Sequence, residues 1–495
     1  MKTKSILTAA AICAALNAPA AFAEWNDSIR YRGELSVSLG GGEHNPFWLM
    51  NDRNGLASPH PNSGFLRLGA FHDLDKQKRF SWGAGIDVGV SFHNERIFLP
   101  QQLYGEVQWR CLDLMVGLKE IPDPVVNSDL SSGALTFAGN ASPIPQVRAG
   151  IFDYADFWGC KGWFAVKGHN AYGMFMDNSF INHWVDKKAD HPYSKDVLYC
   201  SRAIYFRGGN PDKFPLWGEL GLNMETQFGG TTYLYNPKTG ETTAEKHPSY
   251  PKAWLKALIP MKGGSDTSAG EQLNVEGNML GNWSFALQWD DPSGWNARIY
   301  YQHYFEDHSM LFFDYPWKDG LYGVSGRLPK NPYVSEICYE FLYMKDQGGP
   351  VYWDHTPDIN YQVSGRDNYY NHYFYNGWSQ FGMGFGNPLV LSPIYNDPHT
   401  LYFRNTRIIA HHLGFKGDPT QQVGYRVKAS WLRSWGNYDD PQPHVKGNFS
   451  LLAEAKWHPA KLKGWEGTLS FAMDAGGLIG HNYGVGITIT KTGWF

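Results

Sequence analysis

The chain has 495 residues, with 43 Lys or Arg against 47 Asp or Glu, a formal net charge of -4 and 18% charged residues. That balance excludes a basic nucleic-acid-binding arm, and five cysteines are too few for a disulfide scaffold of this size. Mean hydropathy is -0.42, and no window after the first twenty-odd residues approaches the roughly 18 apolar residues of a membrane helix, which excludes a helical membrane protein.

The N-terminus reads as an export signal. Lys2 and Lys4 form a positive region, Ile6 to Leu16 an apolar core, and Ala21-Phe22-Ala23 the small residues a signal peptidase selects. Cleavage after Ala23 is predicted, leaving residues 24–495 as one domain. Cys13 does not read as a lipoprotein cysteine, because Ile12 precedes it where a small side chain is needed.

From there the chain alternates with period two. Ile29, Tyr31, Leu35, Val37 and Leu39 interleave with Arg30, Arg32, Glu34, Ser36 and Ser38, so an extended strand has one greasy face and one wet face. The pattern returns in Trp82 to Phe92, Leu103 to Arg110, Leu216 to Phe228, Trp283 to Trp289, Trp295 to Tyr301, Val423 to Trp431, Phe449 to Trp457 and Trp465 to Met473. The wet face carries both charge signs, among them Asp87, Glu106, Arg110, Glu225, Arg298, Glu336, Glu340, Arg426, Lys428, Glu454, Lys456 and Asp474. A dry sandwich core does not host such groups unpaired. Trp289, Trp295, Trp431, Trp435, Trp457 and Trp465 lie at or near strand ends, as aromatic girdles do at membrane interfaces. The competing arrangement reverses the faces, with charges in solvent and apolar residues in the core of a soluble two-sheet protein.

The chain ends on Tyr483, Val485, Ile487 and Ile489 alternating with Gly484, Gly486, Thr488 and Thr490, and stops at Phe495. A terminal aromatic closing an amphipathic strand resembles the assembly signal read by the outer-membrane barrel assembly machinery. The fold class predicted is all-β, a transmembrane antiparallel β-barrel of roughly 18 strands in outer-membrane lipid. So wide a barrel is an open channel unless filled. The insertions at about 120–146, 153–196, 229–275 and 345–400 are expected to occlude the lumen.

Little chemistry is offered. Cys111, Cys160, Cys200 and Cys338 show no zinc spacing, so no metal site is expected. By parity Cys111 faces outward and Cys338 inward with Glu336 and Glu340. Cys160 and Cys200 either bridge or remain buried thiols. No G-x-S-x-G elbow, H-E-x-x-H helix or Walker loop is present, and no cofactor or catalytic residue is assigned. His411, His412, Asp307 and Ser309 assemble into a hydrolase site only on paper.

The most unusual stretch runs from Asp367 to Trp378. Aromatic faces pack on the C–H patches of a pyranose while amides and carboxylates bind its hydroxyls. The candidate carbohydrate-binding residues are therefore Asp367, Asn368, Tyr369, Tyr370, Tyr373, Tyr375 and Trp378, with Trp353 and Asp354 from the same insertion. The same aromatics would serve equally to pack a long loop against the barrel mouth.

Four segments resemble the Wzi capsule assembly family of outer-membrane proteins: NPFWLMNDRNG at 45–55, LSSGALTFAGNASPIP at 130–145, YFEDHS at 304–309 and NGWSQFGMGFGNPL at 376–389. The resemblance spans most of the mature chain. It implies an 18-stranded barrel closed by loops, acting as a non-enzymatic lectin that holds capsular polysaccharide or exopolysaccharide on the cell surface. Family members can carry a periplasmic helical bundle, whereas alternation here starts just after Trp25, so any such helices must come from later insertions. A porin-like solute channel is the alternative, which a wide barrel with a two-signed lumen also allows.

Overall fold

The computed structural model describes residues 29–157, 159–189, 191–259, 277–306, 311, 317–348 and 366–495. The expected signal peptide lies outside these residues.

In a strand, successive side chains point to opposite faces. Here the outward set is apolar and the inward set polar. Ile86 is 51% exposed, whereas its neighbour Asp87 is fully buried at 0%. Such ribbons cannot end in an open edge inside hydrocarbon, so the sheet must close. It does, through eighteen strands. They are β1 (Ile29–Gly41), β2 (Ser63–His72), β3 (Phe80–Phe92), β4 (Phe98–Trp109), β5 (Leu112–Leu118), β6 (Gln146–Asp156), β7 (Phe164–Met174), β8 (Leu198–Gly208) and β9 (Leu216–Phe228), followed by β10 (Asn278–Asp290), β11 (Asn296–Glu306), β12 (Gly320–Arg327), β13 (Glu336–Tyr343), β14 (Ile408–Gly417), β15 (Val423–Gly436), β16 (Pro441–Trp457), β17 (Trp465–Gly476) and β18 (Asn482–Trp494). Every strand pairs antiparallel with the next, and β1 pairs with β18 from Arg30 opposite Trp494 to Gly41 opposite Tyr483. Phe495 continues this seam: its N–H donates to the Ile29 carbonyl at 2.9 Å and its ring lies 4.8 Å from that of Tyr31.

Both strand ends near the termini are joined by short turns, and the opposite ends carry the long connections. In outer-membrane barrels the short turns are periplasmic and the long loops extracellular, which orients the molecule. Trp109, Trp163, Trp295, Trp457 and Trp494 ring the turn side with exposed faces. Phe92, Phe98 and Tyr483 do so at the loop side.

Two of the expected insertions turn out differently. Residues 153–196 are partly wall: β6 and β7 occupy 146–156 and 164–174, leaving the connections at 157–163 and 175–197. A register shift between Ile151 and Ala155 in β6, and an outward Asn170 in β7, blur the alternation there. The 229–275 insertion does not enter the lumen over its described part. Thr231–Asn236 and Glu241–Lys246 form a hairpin that pairs with Tyr193–Lys195. The helix Pro251–Leu258 then lies on the outer wall, with Ala253 and Ala257 against Cys200 and Phe228. The described residues include two further short helices, Phe47–Met50 and Asn178–Trp184, both in loop-side connections.

Inside the wall, many of the charges are paired. Arg67 Nη2 lies 2.6 Å from Asp87 and 2.8 Å from Glu120, Lys119 2.6 Å from Glu106, and Arg426 2.5 Å from Glu454. Such pairs contribute little net stability, but removing one partner strands a buried charge. The outward face is the stronger test of a hydrocarbon surround. Ile86→Arg, near the middle of β3, is expected to destabilise the barrel by about 2–4 kcal/mol, measured by urea titration of folding into lipid vesicles; an unchanged midpoint would contradict the assigned face.

Candidate functional site

A barrel of this width leaves inward polar groups that need partners, and any chain entering it brings buried backbone N–H and C=O groups with the same need. Three loop segments satisfy both demands together. Residues 45–55, 130–145 and 376–389 interlock across the loop half of the lumen. Ala138 N–H donates to Phe385 O at 2.7 Å, Asn54 N–H to Gly139 O at 2.7 Å, Asn140 Nδ2 to Gly384 O at 3.0 Å and Trp378 Nε1 to Thr136 O at 2.8 Å. Gly133 has φ +120°, and a Cβ there would sit 2.6 Å from Ala138 Cβ and 2.9 Å from Pro388 Cδ, so only glycine lets these segments meet.

The wall holds this plug by its polar side chains. Glu340 accepts from Ser131 Oγ at 2.5 Å and from both Ser132 N–H and Ser132 Oγ at 2.6 Å. Asp474 accepts from Phe47 N–H at 2.9 Å, and Gln302 Oε1 from Leu135 N–H at 3.0 Å. Within the plug, Trp48, Leu135, Tyr369, Tyr370, Trp378 and Phe385 belong to one buried apolar cluster.

This places most of the aromatic segment predicted to bind sugar. Tyr369, Tyr370, Tyr375 and Trp378 are buried, the arrangement expected of aromatics that pack a long loop against the barrel mouth. Their rings are committed to neighbours, with Tyr304 4.6 Å from Tyr369 and Phe385 4.9 Å from Trp378. Their polar atoms are committed too: Tyr369 OH donates to Asp319 at 3.0 Å and Tyr370 OH to Leu135 O at 2.5 Å. Tyr373 is different, at 77% exposed. Asp367 and Asn368 are half-buried at the outer face. Trp353 and Asp354 lie outside the described residues.

Asn368 joins residues that the sequence did not single out. Its Nδ2 donates to Tyr402 OH at 2.6 Å and to Asp439 Oδ2 at 2.7 Å, while Tyr402 OH donates to the same carboxylate at 3.1 Å. Tyr402 stacks on His191 at 4.4 Å. Nothing in their spacing announces this cluster, because its members come from three separate connections.

The hydrolase set does not assemble among the described residues. His411 faces outward, with Nδ1 2.8 Å from Tyr339 OH, whereas His412 faces inward between Ser430 Oγ at 2.7 Å and Leu130 O at 2.8 Å. Adjacent strand residues cannot share a site on one face, and Asp307 and Ser309 lie outside the described residues. Cys160 sits in the turn after β6 and Cys200 near the loop end of β8, at opposite ends of the wall, so no bridge joins them. Cys111 is exposed and Cys338 buried, as parity predicts.

With the closed wall and plug in view, comparison with solved structures is direct. Wzi of Escherichia coli, described as a carbohydrate-binding β-barrel involved in group 1 capsule assembly, aligns over 94% of this chain and 84% of its own at 13% identity, with a TM-score of 0.55. The fold is that of an outer-membrane β-barrel. OccAB2 of Acinetobacter baumannii aligns over 94% and 98% at 9% identity with a TM-score of 0.44, and OccK5 of Pseudomonas aeruginosa over 94% and 98% at 7% with 0.40. No protein-family model and no curated protein sequence matches the chain.

Asp319, in the loop before β12, ties the plug to the wall by accepting from Gln347 N–H at 2.6 Å and Tyr369 OH at 3.0 Å. Burial outweighs these bonds and pushes its pKa up to about 7 from 3.8. A raised folded value favours the protonated form on folding, so this stabilisation is complete below about pH 4 and is lost as pH rises through about 7. The heat-modifiability midpoint is expected to be lower at about pH 8 than at about pH 5, and Asp319→Asn to flatten that difference.

Proposed function

We propose that this protein is a non-enzymatic outer-membrane lectin, exported through a cleaved signal peptide as a single mature domain. It holds capsular polysaccharide or exopolysaccharide at the cell surface. One observation carries the reading. The loop half of the lumen is filled by an apolar core that includes fully buried Trp48 and Trp378, which disfavours solute flow and leaves the outer loop surface as the working face. There Tyr373, Asp367 and Asn368, with Tyr402 and Asp439, supply the aromatic, amide and carboxylate groups that suit sugars. The fold likeness to Wzi and the four resembling segments support the same reading.

Binding of purified protein to capsule or exopolysaccharide from the producing cells tests it. Retention of polymer is expected, weakened several-fold by Tyr373→Ala combined with Asn368→Ala, together with silence in planar bilayers. Absence of retention for every polymer tried would overturn it. Steady large single-channel currents would instead favour the porin-like reading, to which the two-signed wall also lends itself.

Phe495 is proposed to be read by the barrel assembly machinery. Its place on the β1–β18 seam makes it part of closure as well. Deleting Phe495 is expected to lower the amount of heat-modifiable protein in the outer membrane; wild-type levels would count against the assignment.

A further inference from the structure

Beneath the plug, on the turn side, a cavity of about 440 Å³ remains. That is within the 300–1,000 Å³ usual for small-molecule sites. Lys76 and Asp153 line it from the turn side, and Phe137, Ser142 and Phe385 line it from the plug.

The cavity's charges are not evenly satisfied. Lys119 is paired with Glu106, Lys76 with Asp153 and Glu120 with Arg67. Asp123 accepts from Val125 N–H at 2.8 Å and Val126 N–H at 3.2 Å, and Glu219 is taken by Arg298 at 3.3 Å. Glu225 accepts from Tyr199 OH at 2.6 Å and Ser201 Oγ at 3.1 Å. Two cations are left over. Arg148 and Lys167, on adjacent strands β6 and β7, both line the cavity and make no ion pair among the described residues. Lys167 Nζ lies over the rings of Tyr154 at 4.4 Å and Tyr205 at 5.1 Å.

A row of hydrogen bonds across four strands fixes Arg148. Its Nη2 donates to His169 Nδ1 at 3.0 Å, His169 Nε2 lies 2.8 Å from Ser201 Oγ, and Ser201 donates to Glu225. With Nδ1 accepting, the imidazole carries its proton on Nε2 and donates to the serine. The carboxylate sits on Ser201 and not on His169, the reverse of a catalytic triad, so the row positions Arg148 rather than activating a nucleophile. Arg148 Nε, Gln146 Oε1 and Asn223 Oδ1 are buried without partners. Asn223 itself is more than nine-tenths buried and lines the cavity. Unmet polar atoms of this kind call for a ligand or ordered water.

We propose that this cavity is a second binding site, opening to the periplasm, for an acidic saccharide unit. Its anionic group is held by Arg148 and Lys167, its hydroxyls by Asn223 and Gln146, and its ring by the aromatic faces of Tyr205 and Phe137. Neither cation makes an ion pair among the described residues, and the carboxylates that act on them, Asp123, Glu219 and Glu225, are held by other donors, so an anion from outside fits better than a neutral sugar. The inference rests on the lectin reading only in the choice of sugars as probes.

Calorimetric titration of the detergent-solubilised full-length protein with glucuronate, glucose 6-phosphate and glucose tests it. Saturable binding of glucuronate or glucose 6-phosphate is expected, at least tenfold tighter than glucose and weakening as salt rises; which of the two binds identifies the anionic group as carboxylate or phosphate. Lys167→Gln is expected to lower that affinity tenfold or more, and Lys167→Arg to restore most of it. Because Lys167 makes no hydrogen bond or ion pair among the described residues, Lys167→Gln is the variant least prone to misfold; Arg148→Gln, which breaks the row, is read beside it for heat-modifiability. Equal binding of glucose and glucuronate, binding indifferent to Lys167→Gln, or no binding of any probe would overturn the proposal. Retention of polymer that depends on Tyr373, with no binding of any of the three probes, would leave the outer-face reading standing and remove only this one.

Discussion

Polar groups removed from water must find partners, and in this barrel that requirement acts on two surfaces at once. The inward faces of eighteen strands present carboxylates, amides and cations, and the loops that fold inward present backbone N–H and C=O groups. Each supplies what the other lacks. Glu340 gathers Ser131 and Ser132, Asp474 takes Phe47 N–H, and His412 lies between Ser430 and the Leu130 carbonyl. The lumen is therefore not a pipe with a separate stopper. Wall and plug form one polar network with an apolar centre.

That arrangement divides the interior. Toward the long loops, large aromatic and aliphatic side chains pack against one another and exclude water. Toward the short turns, packing stops and a polar cavity begins, with Arg148 and Lys167 held on its wall. The outer surface and the inner cavity are thereby separated by a dry layer, so a ligand on one side meets different chemistry from a ligand on the other. Among the described residues, aromatic rings serve three different ends: Trp457 and Trp494 in the girdle, Trp48 and Trp378 in the core, and Tyr373 on the surface. Residue type alone does not distinguish these roles. The solvent each ring meets does.

The resembling segments illustrate how little of a site's meaning lies in local order. Residues 45–55, 130–145 and 376–389 are distant in the chain and meet only in the plug. Their glycines, asparagines and aromatics read locally as a sugar-binding composition, yet Asn140 and Trp378 spend their hydrogen bonds on neighbouring backbone. What remains available for recognition is the fringe: Tyr373, Asn368 and the Tyr402–Asp439 pair, set on the outer surface by that packing.

The wall was legible because period two is a local property. Whatever strand pairs with β3, Ile86 and Asp87 must face opposite ways, and hydrocarbon outside decides which. The approximate strand number and the apolar outer face follow from that rule, whereas the seam at Phe495 comes from closure of the sheet. Where it is blurred, as at the register shift of β6 and the outward Asn170 of β7, period two no longer separates wall from loop. Which loops enter the lumen is not a local property. Residues 42–62 and 119–145 turn inward while Pro251–Leu258 lies against the outer wall, although all carry apolar side chains. Nor does any spacing bring Arg148, His169, Ser201 and Glu225 into a row, since they stand on four strands. Only closure of the sheet sets those neighbours, because it is the curvature of the wall that decides which distant side chains share a volume.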